Sequence, residues 1–279
     1  MLEEKKKYRQ VIKATSIFGG LQFFNIIIAI IRWKAVAIFL GASGFGIVKL
    51  LNSTIELIGE FTKIGLDTSA VREISFAKAN KEEKEVSIIV SSLGKMVWLT
   101  GIIGTIIVIL FSPILSKLAF GNTNYTIAFI WISITLLFKQ LSVGKLAVLQ
   151  GLRSLNYLAK AGLFGNLLSL IITLPLYYFY GIDAIVSVII LSSIISLVIS
   201  FYYSNKVSIK IIQISFKEAF FQSKSMLKLG VMLSVQGIIT LAFAYGFQIF
   251  ISHNGGLNEL GFYSAGFLMI NSYVNLIFN

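Results

Sequence analysis

The 279-residue chain has no cysteine, so disulfides and thiolate metal centres are excluded. It has one histidine, His253, which excludes metal chemistry built on a histidine cluster. Charge is scarce. Asp, Glu, Lys and Arg make up 13% of the residues, against about 25% in an average soluble domain. Acidic residues are scarcer than basic ones, 12 against 24, for a formal charge of +12. In a soluble protein that excess would raise nucleic acid as a partner. Here the charges sit between hydrophobic runs, so no nucleic acid is expected and membrane topology explains them better. Also missing are a phosphate-cradling glycine loop ending in Lys-Ser/Thr, paired carboxylates in an exposed loop, and a nucleophile beside a histidine. No enzyme activity and no cofactor is expected.

What is present is apolar. Hydrophobic residues make up 56% of the chain, and they fall in runs long enough to cross a bilayer core as helices. In lipid only helices and closed barrels satisfy the backbone, and continuous rather than alternating runs select helices. The predicted fold is all-α, a polytopic transmembrane bundle of about eight helices. They are placed at 14–40, 45–67, 87–112, 124–144, 159–180, 184–204, 228–252 and 259–279. Turns are read at Gly41–Gly46, at Ser112-Pro113 and Gly121-Asn122, and at Gly181-Ile182-Asp183. The basic segment 1–13 leads into an apolar run too long for a signal-peptide core, so the first helix is read as uncleaved. Lys and Arg gather in 1–13, 68–86, 145–158 and 205–227, for example Arg72, Lys78, Lys81, Lys84, Arg153, Lys206, Lys210, Lys217 and Lys224. The opposite turns hold little beyond Lys117, so both ends of the chain are predicted to face the cytoplasm. His253 and Asp183 read as turn residues, and Pro175 as a kink in the fifth helix.

A repeat at an offset of about 215 aligns Lys13 with Lys228 and Gly46 with Gly261. Two short matches also arise by chance. If the repeat is real, it follows the duplicated plan of secondary transporters. The expected organisation is then a six-helix lobe over 1–204, a cytoplasmic linker over 205–227, and the first two helices of a second lobe over 228–279. The chain stops inside an apolar run, which is expected of a truncated second lobe.

The second helix carries the most informative residues. Lys49, Asn52, Glu56, Glu60, Lys63 and Asp67 follow at spacings of 3, 4, 4, 3 and 4. At 100° per residue they form one stripe. A charge at the bilayer centre costs roughly 2.5–3.5 kcal/mol on the mildest scale, so the stripe must face a wet cavity or a partner helix. The other reading is a salt-bridge network that only holds helices together. On the first helix, Gln22, Asn25 and Arg32 fall within an arc of about 80°, and Lys34 lies off it. Arg32 and Lys34 could instead snorkel to headgroups. Lys95, Lys139 and Lys145 read as snorkelling anchors at inner helix ends.

Four runs then carry a resemblance. Ile31 to Gly46 (IRWKAVAIFLGASGFG) is similar to the first hairpin of bacterial polysaccharide and O-antigen flippases of the Wzx type. Gly65 to Arg72 (GLDTSAVR) resembles the end of that family's second helix. Leu149 to Lys160 (LQGLRSLNYLAK) and Leu174 to Ile182 (LPLYYFYGI) resemble its fourth-to-fifth helix region. The resemblance implies the multidrug/oligosaccharidyl-lipid/polysaccharide exporter superfamily, with two six-helix lobes around a cavity in the bacterial inner membrane. It implies a polyprenyl-diphosphate-linked oligosaccharide as the substrate partner. Arg32, Lys34 and Lys49 would then meet the diphosphate. Gln22, Asn25 and Asn52 would meet the glycan, and Glu56, Glu60 and Asp67 would couple H⁺ or Na⁺. Rival readings are a drug or cation antiporter of the same superfamily, a membrane-embedded enzyme of envelope polysaccharide, and a structural subunit.

Overall fold

The computed structural model describes the backbone of residues 2–210 and 212–278. Side chains are described for 20–271, apart from Gln22 and Ile211, and for Val274. The elements are α1 (Leu2–Lys63), α2 (Leu66–Ala79), α3 (Glu83–Phe120), α4 (Thr126–Gly151), α5 (Leu155–Tyr180), α6 (Ile185–Ser204), α7 (Phe216–Gln222) and α8 (Lys224–Phe278). A 3-10 turn, Gly181–Ala184, joins α5 to α6. No strand occurs among the described residues.

Five stretches are long and apolar enough to cross a membrane: Phe23–Lys63, Glu83–Phe120, Thr126–Gly151, Leu155–Ser204 and Lys224–Asn271. The expected count of eight is therefore not matched. Three of the predicted loops are shorter than expected. Gly41 (φ 66, ψ −173) and Gly256 (φ 83, ψ 176) are single non-helical residues, each at a kink between two helical arms, and a four-residue 3-10 turn at 181–184 joins α5 directly to α6. Glycine reaches positive φ without a Cβ penalty, so one residue does the work expected of a loop. Thus α1 and α8 are each two arms about a glycine.

Two helix ends also differ from expectation. The second arm of α1 stops at Lys63, because Ile64 (φ 51) and Gly65 (φ 60) are left-handed. Asp67 therefore belongs to α2, not to the charged helix. In turn, α3 does not end at Ser112 but runs through Pro113 to Phe120. Proline cannot donate to the carbonyl four residues back, that of Ile109. The Ser112 hydroxyl donates to that carbonyl at 2.9 Å, and the helix continues.

The largest core cluster surrounds the second arm of α1. Leu50, Leu51 and Ile55 pack with Phe129, Ile132 and Leu136 of α4, Val108 of α3, Tyr177 of α5, and Tyr245 and Leu260 of α8. That arm runs antiparallel to the first arm of α8. Along the pair, Gly46 lies by Leu257, the Thr54 hydroxyl donates to Tyr245 Oη at 2.8 Å, and Glu60 lies by Gly237.

The crossing near the kinks is reciprocal. A Cβ at Gly46 would collide with the Leu257 carbonyl, and a Cβ at Gly261 with the Ala42 carbonyl. Leu257 directly follows the kink at Gly256, and Ala42 directly follows the kink at Gly41. The two kinks stand 215 positions apart, as do Gly46 and Gly261. This is the geometry of two like hairpins meeting about a local two-fold.

The crossing makes a directional prediction. Gly261→Ala forces two backbones apart and should cost about 1–3 kcal/mol, read as a lower melting temperature in nanodiscs. Gly266→Ala, five residues on with nothing within 4 Å of its Cβ position, should be neutral or stabilising. Equal melting of the two variants would show that the helices do not meet at Gly261.

Candidate functional site

The charged stripe lies on one side of the second arm of α1. Its opposite side, including Leu50, Leu51, Thr54 and Ile55, is buried in the core. Lys49, Asn52, Glu60 and Lys63 are half-buried, and Glu56 is exposed. Lys63 stands between two carboxylates, 2.8 Å from Glu60 and 3.0 Å from Asp67. This triad bridges the left-handed corner, so Asp67 joins the stripe from the start of α2. Asn52 turns inward on its own helix, where its Nδ2 donates to the Val48 carbonyl at 3.0 Å.

Across from the stripe stands Lys139 of α4, which sequence reasoning took for an anchor. It is half-buried beside that arm of α1. Its neighbour Gln140 donates to the Gly59 carbonyl at 3.1 Å, which sets this turn of α4 against the arm that carries Glu56. A depth signal was available: Lys139 lies six residues, about 9 Å, inward of Lys145. Lys145, over the Phe201 ring at 4.5 Å, holds the anchor position.

A second polar cluster lies between the first arm of α1 and α5. Arg32 Nη2 donates to the Asn166 carbonyl at 2.9 Å, and Asn166 Nδ2 donates to Asn25 Oδ1 at 3.1 Å. The structure thus brings Asn25 and Arg32 together, as their shared arc predicts, through a residue the sequence reading missed. Asn166 is a polar residue in an apolar helix, and that was its signal. Arg32 Nε is buried without a hydrogen-bond partner. An unmet buried donor costs about 1–3 kcal/mol, more when charged. The Gln22 side chain falls outside the described residues. Lys34 points elsewhere, into an apolar cavity of about 330 Å³ between the first arm of α1 and the second arm of α8, beside Trp33, Phe45 and Met269. No group of acidic or histidine side chains that could hold a metal occurs among the described residues.

At one end of the bundle, α2, α3 and α8 enclose an open groove of about 1140 Å³ with charges of both signs, including Arg72, Glu73, Lys84, Glu85 and Lys228. Burial pushes the Glu73 carboxyl above its ordinary pKa, against the opposing pull of a Ser225 hydrogen bond and Arg72. This mixed lining selects no one ligand charge.

The charged stripe lies inside a recognised domain: a family model described as polysaccharide biosynthesis protein matches residues 11–279. The chain belongs to the polysaccharide biosynthesis protein family. This is the family to which the motif resemblance points, that of Wzx-type flippases and related exporters. No curated protein and no solved structure matches the chain. With five stretches long and apolar enough to cross a membrane, this member of the polysaccharide biosynthesis family is a multi-pass membrane protein.

The Lys63 triad can be tested directly. Lys63→Met leaves two facing carboxylates without their cation. For side chains that remain about a fifth exposed, the loss should be about 1–3 kcal/mol, below the value for a fully buried pair. Adding Glu60→Gln should restore part of it. The readout is thermal unfolding in nanodiscs, and a triad of no consequence would leave all three melting temperatures equal.

Proposed function

We propose that this protein moves a polyprenyl-diphosphate-linked oligosaccharide from the inner to the outer leaflet of a bacterial cytoplasmic membrane by alternating access. Membership of the family supports the class of task. The observation that carries the substrate is Arg32, whose guanidinium is half tied to the Asn166 carbonyl while its Nε has no partner. A diphosphate cannot enter hydrocarbon with its charge unmatched. Arg can replace lost hydration with paired hydrogen bonds to phosphate oxygens. Asn25 and Asn166 beside it offer amides to sugar hydroxyls. In this reading Asn52 offers a further amide and Lys49 further positive charge, while Lys34, which lines the apolar cavity, stands apart from them.

Residues 1–204 would form the first lobe, 205–227 the connection, and 228–279 the opening of the second. The reciprocal meeting of the two kinked hairpins supports that division, because a pair of lobes related by a two-fold must meet at equivalent residues. Among the acidic residues, Glu60 and Asp67 are already occupied by Lys63. Glu56, exposed and opposite Lys139, is therefore the better candidate for coupling to H⁺ or Na⁺. A drug or cation antiporter fits less well, since a cationic substrate would meet Arg32.

Arg32→Ala should abolish translocation in proteoliposomes containing the lipid-linked glycan, at unchanged membrane level. Arg32→Lys should retain part of it, because Lys keeps the charge and loses the paired geometry. Full transport by Arg32→Ala would overturn the assignment. Glu56→Gln should remove the dependence of transport on an imposed proton or sodium gradient, and wild-type transport indifferent to both gradients would remove the coupling role.

A further inference from the structure

The depth of the inner membrane boundary can be read from α3. Between Lys95 and Lys117 lie 21 residues without a charge, about 32 Å at 1.5 Å per residue. That matches the roughly 30 Å hydrocarbon core. Lys95 therefore marks the cytoplasmic boundary. Trp98, exposed one turn further in, suits that level, where indole rings collect.

The segment between α6 and α8 is fastened at the same level. Lys95 Nζ donates to the Ile214 carbonyl and lies 4.7 Å over the Phe216 ring. The Ser91 hydroxyl accepts the Ile212 N–H at 3.1 Å. A capping box then starts α7: Glu218 N–H donates to Ser215 Oγ at 3.1 Å, and Ser215 N–H donates to the Glu218 carboxylate at 2.6 Å. That bond also holds the Glu218 carboxyl below its ordinary pKa. Ala219 and Met226 are wholly buried against the inner ends of the bundle. The segment is thus a built element rather than a slack tether.

Its outer surface is unusual for a cytoplasmic connection. Phe216, Phe220 and Phe221 are 60%, 58% and 75% exposed. At 100° per residue they share one arc of about 140° with Lys217. Glu218 and Gln222 follow on the next side, where Gln222 borders the open groove of α2, α3 and α8. The charge is one-sided too. From 205 to 224 the chain carries Lys206, Lys210, Lys217 and Lys224 against Glu218 alone. Three phenyl rings with flanking lysines, held at the level of Lys95, match the boundary between acyl chains and anionic headgroups.

We propose that α7 lies in the plane of the cytoplasmic leaflet as an interfacial anchor, with Phe216, Phe220 and Phe221 in the acyl boundary and the flanking lysines on anionic phospholipid headgroups. The connection between α6 and α8 is then held at a fixed depth by lipid. Movement of α8 against α6 must work against that hold, so activity responds to leaflet charge.

The absence of cysteine makes the test direct. A single Phe221→Cys, labelled with an environment-sensitive fluorophore, is placed in nanodiscs of phosphatidylcholine with and without phosphatidylglycerol. Asn80→Cys, in the exposed turn before α3, reports water. With phosphatidylglycerol, the label at 221 should show blue-shifted emission, strong quenching by brominated acyl chains, and several-fold weaker quenching by neutral acrylamide than at 80. Lys217→Gln with Lys224→Gln should reduce that protection. Acrylamide quenching at 221 equal to that at 80 would mean the face is wet, or waiting for a soluble partner, and overturns the anchor. Protection identical with and without phosphatidylglycerol overturns the role of anionic headgroups.

Discussion

Every polar group that this chain carries into the bilayer has to be answered by another part of the chain, because hydrocarbon offers no hydrogen bonds. That constraint organises the bundle. Buried hydroxyls serve as glue between helices: Ser169 donates to Ser192 at 2.7 Å, Ser142 and Ser196 meet at 3.0 Å, and Thr105 donates to the Ser133 carbonyl at 3.2 Å. The same need lets Ser112 carry α3 past Pro113. It also makes the exceptions informative. The Nε of Arg32 is left unmet, and the stripe from Lys49 to Lys63 keeps one side away from the packed core.

The second organising feature is close backbone approach. Gly46 and Gly261 allow two kinked hairpins to cross with no side chain between them. In lipid such contacts replace the hydrophobic drive available in water, since acyl chains are as apolar as leucine. The crossing lies near both kinks, while the Thr54–Tyr245 bond ties the same pair of arms further along. The charged stripe therefore sits on a helix clamped along its other side.

Much of this was legible in one dimension. Composition and run length led to a helical membrane protein, and four short motifs led to the family that the match over 11–279 shows. The 100° periodicity placed Asn25 and Arg32 on one side of α1, and the structure joins them through Asn166. The helix count was not legible, because a glycine kink and a short loop look alike as sequence. Asp67 was assigned to the wrong helix for a related reason: periodicity continues across Ile64 and Gly65, while the backbone turns there. The end of the fourth helix was placed at 144, close to Lys139, whereas α4 runs on to Gly151, because no turn residue marks that end in the sequence.

The sequence alone determined what the solvent is. Long uncharged runs point to lipid, since run length and hydropathy are sums over residues and need no knowledge of contacts. The spacing also allowed the local pairs of Lys63 with Glu60 and Asp67. Tertiary structure decided which polar residues meet across helices: Arg32 with the Asn166 carbonyl, Asn166 with Asn25, and Gln140 with the Gly59 carbonyl. Those pairings span helices far apart in the chain. They follow from crossing geometry, which depends on where glycine lets two backbones meet, and no periodicity within one helix encodes it.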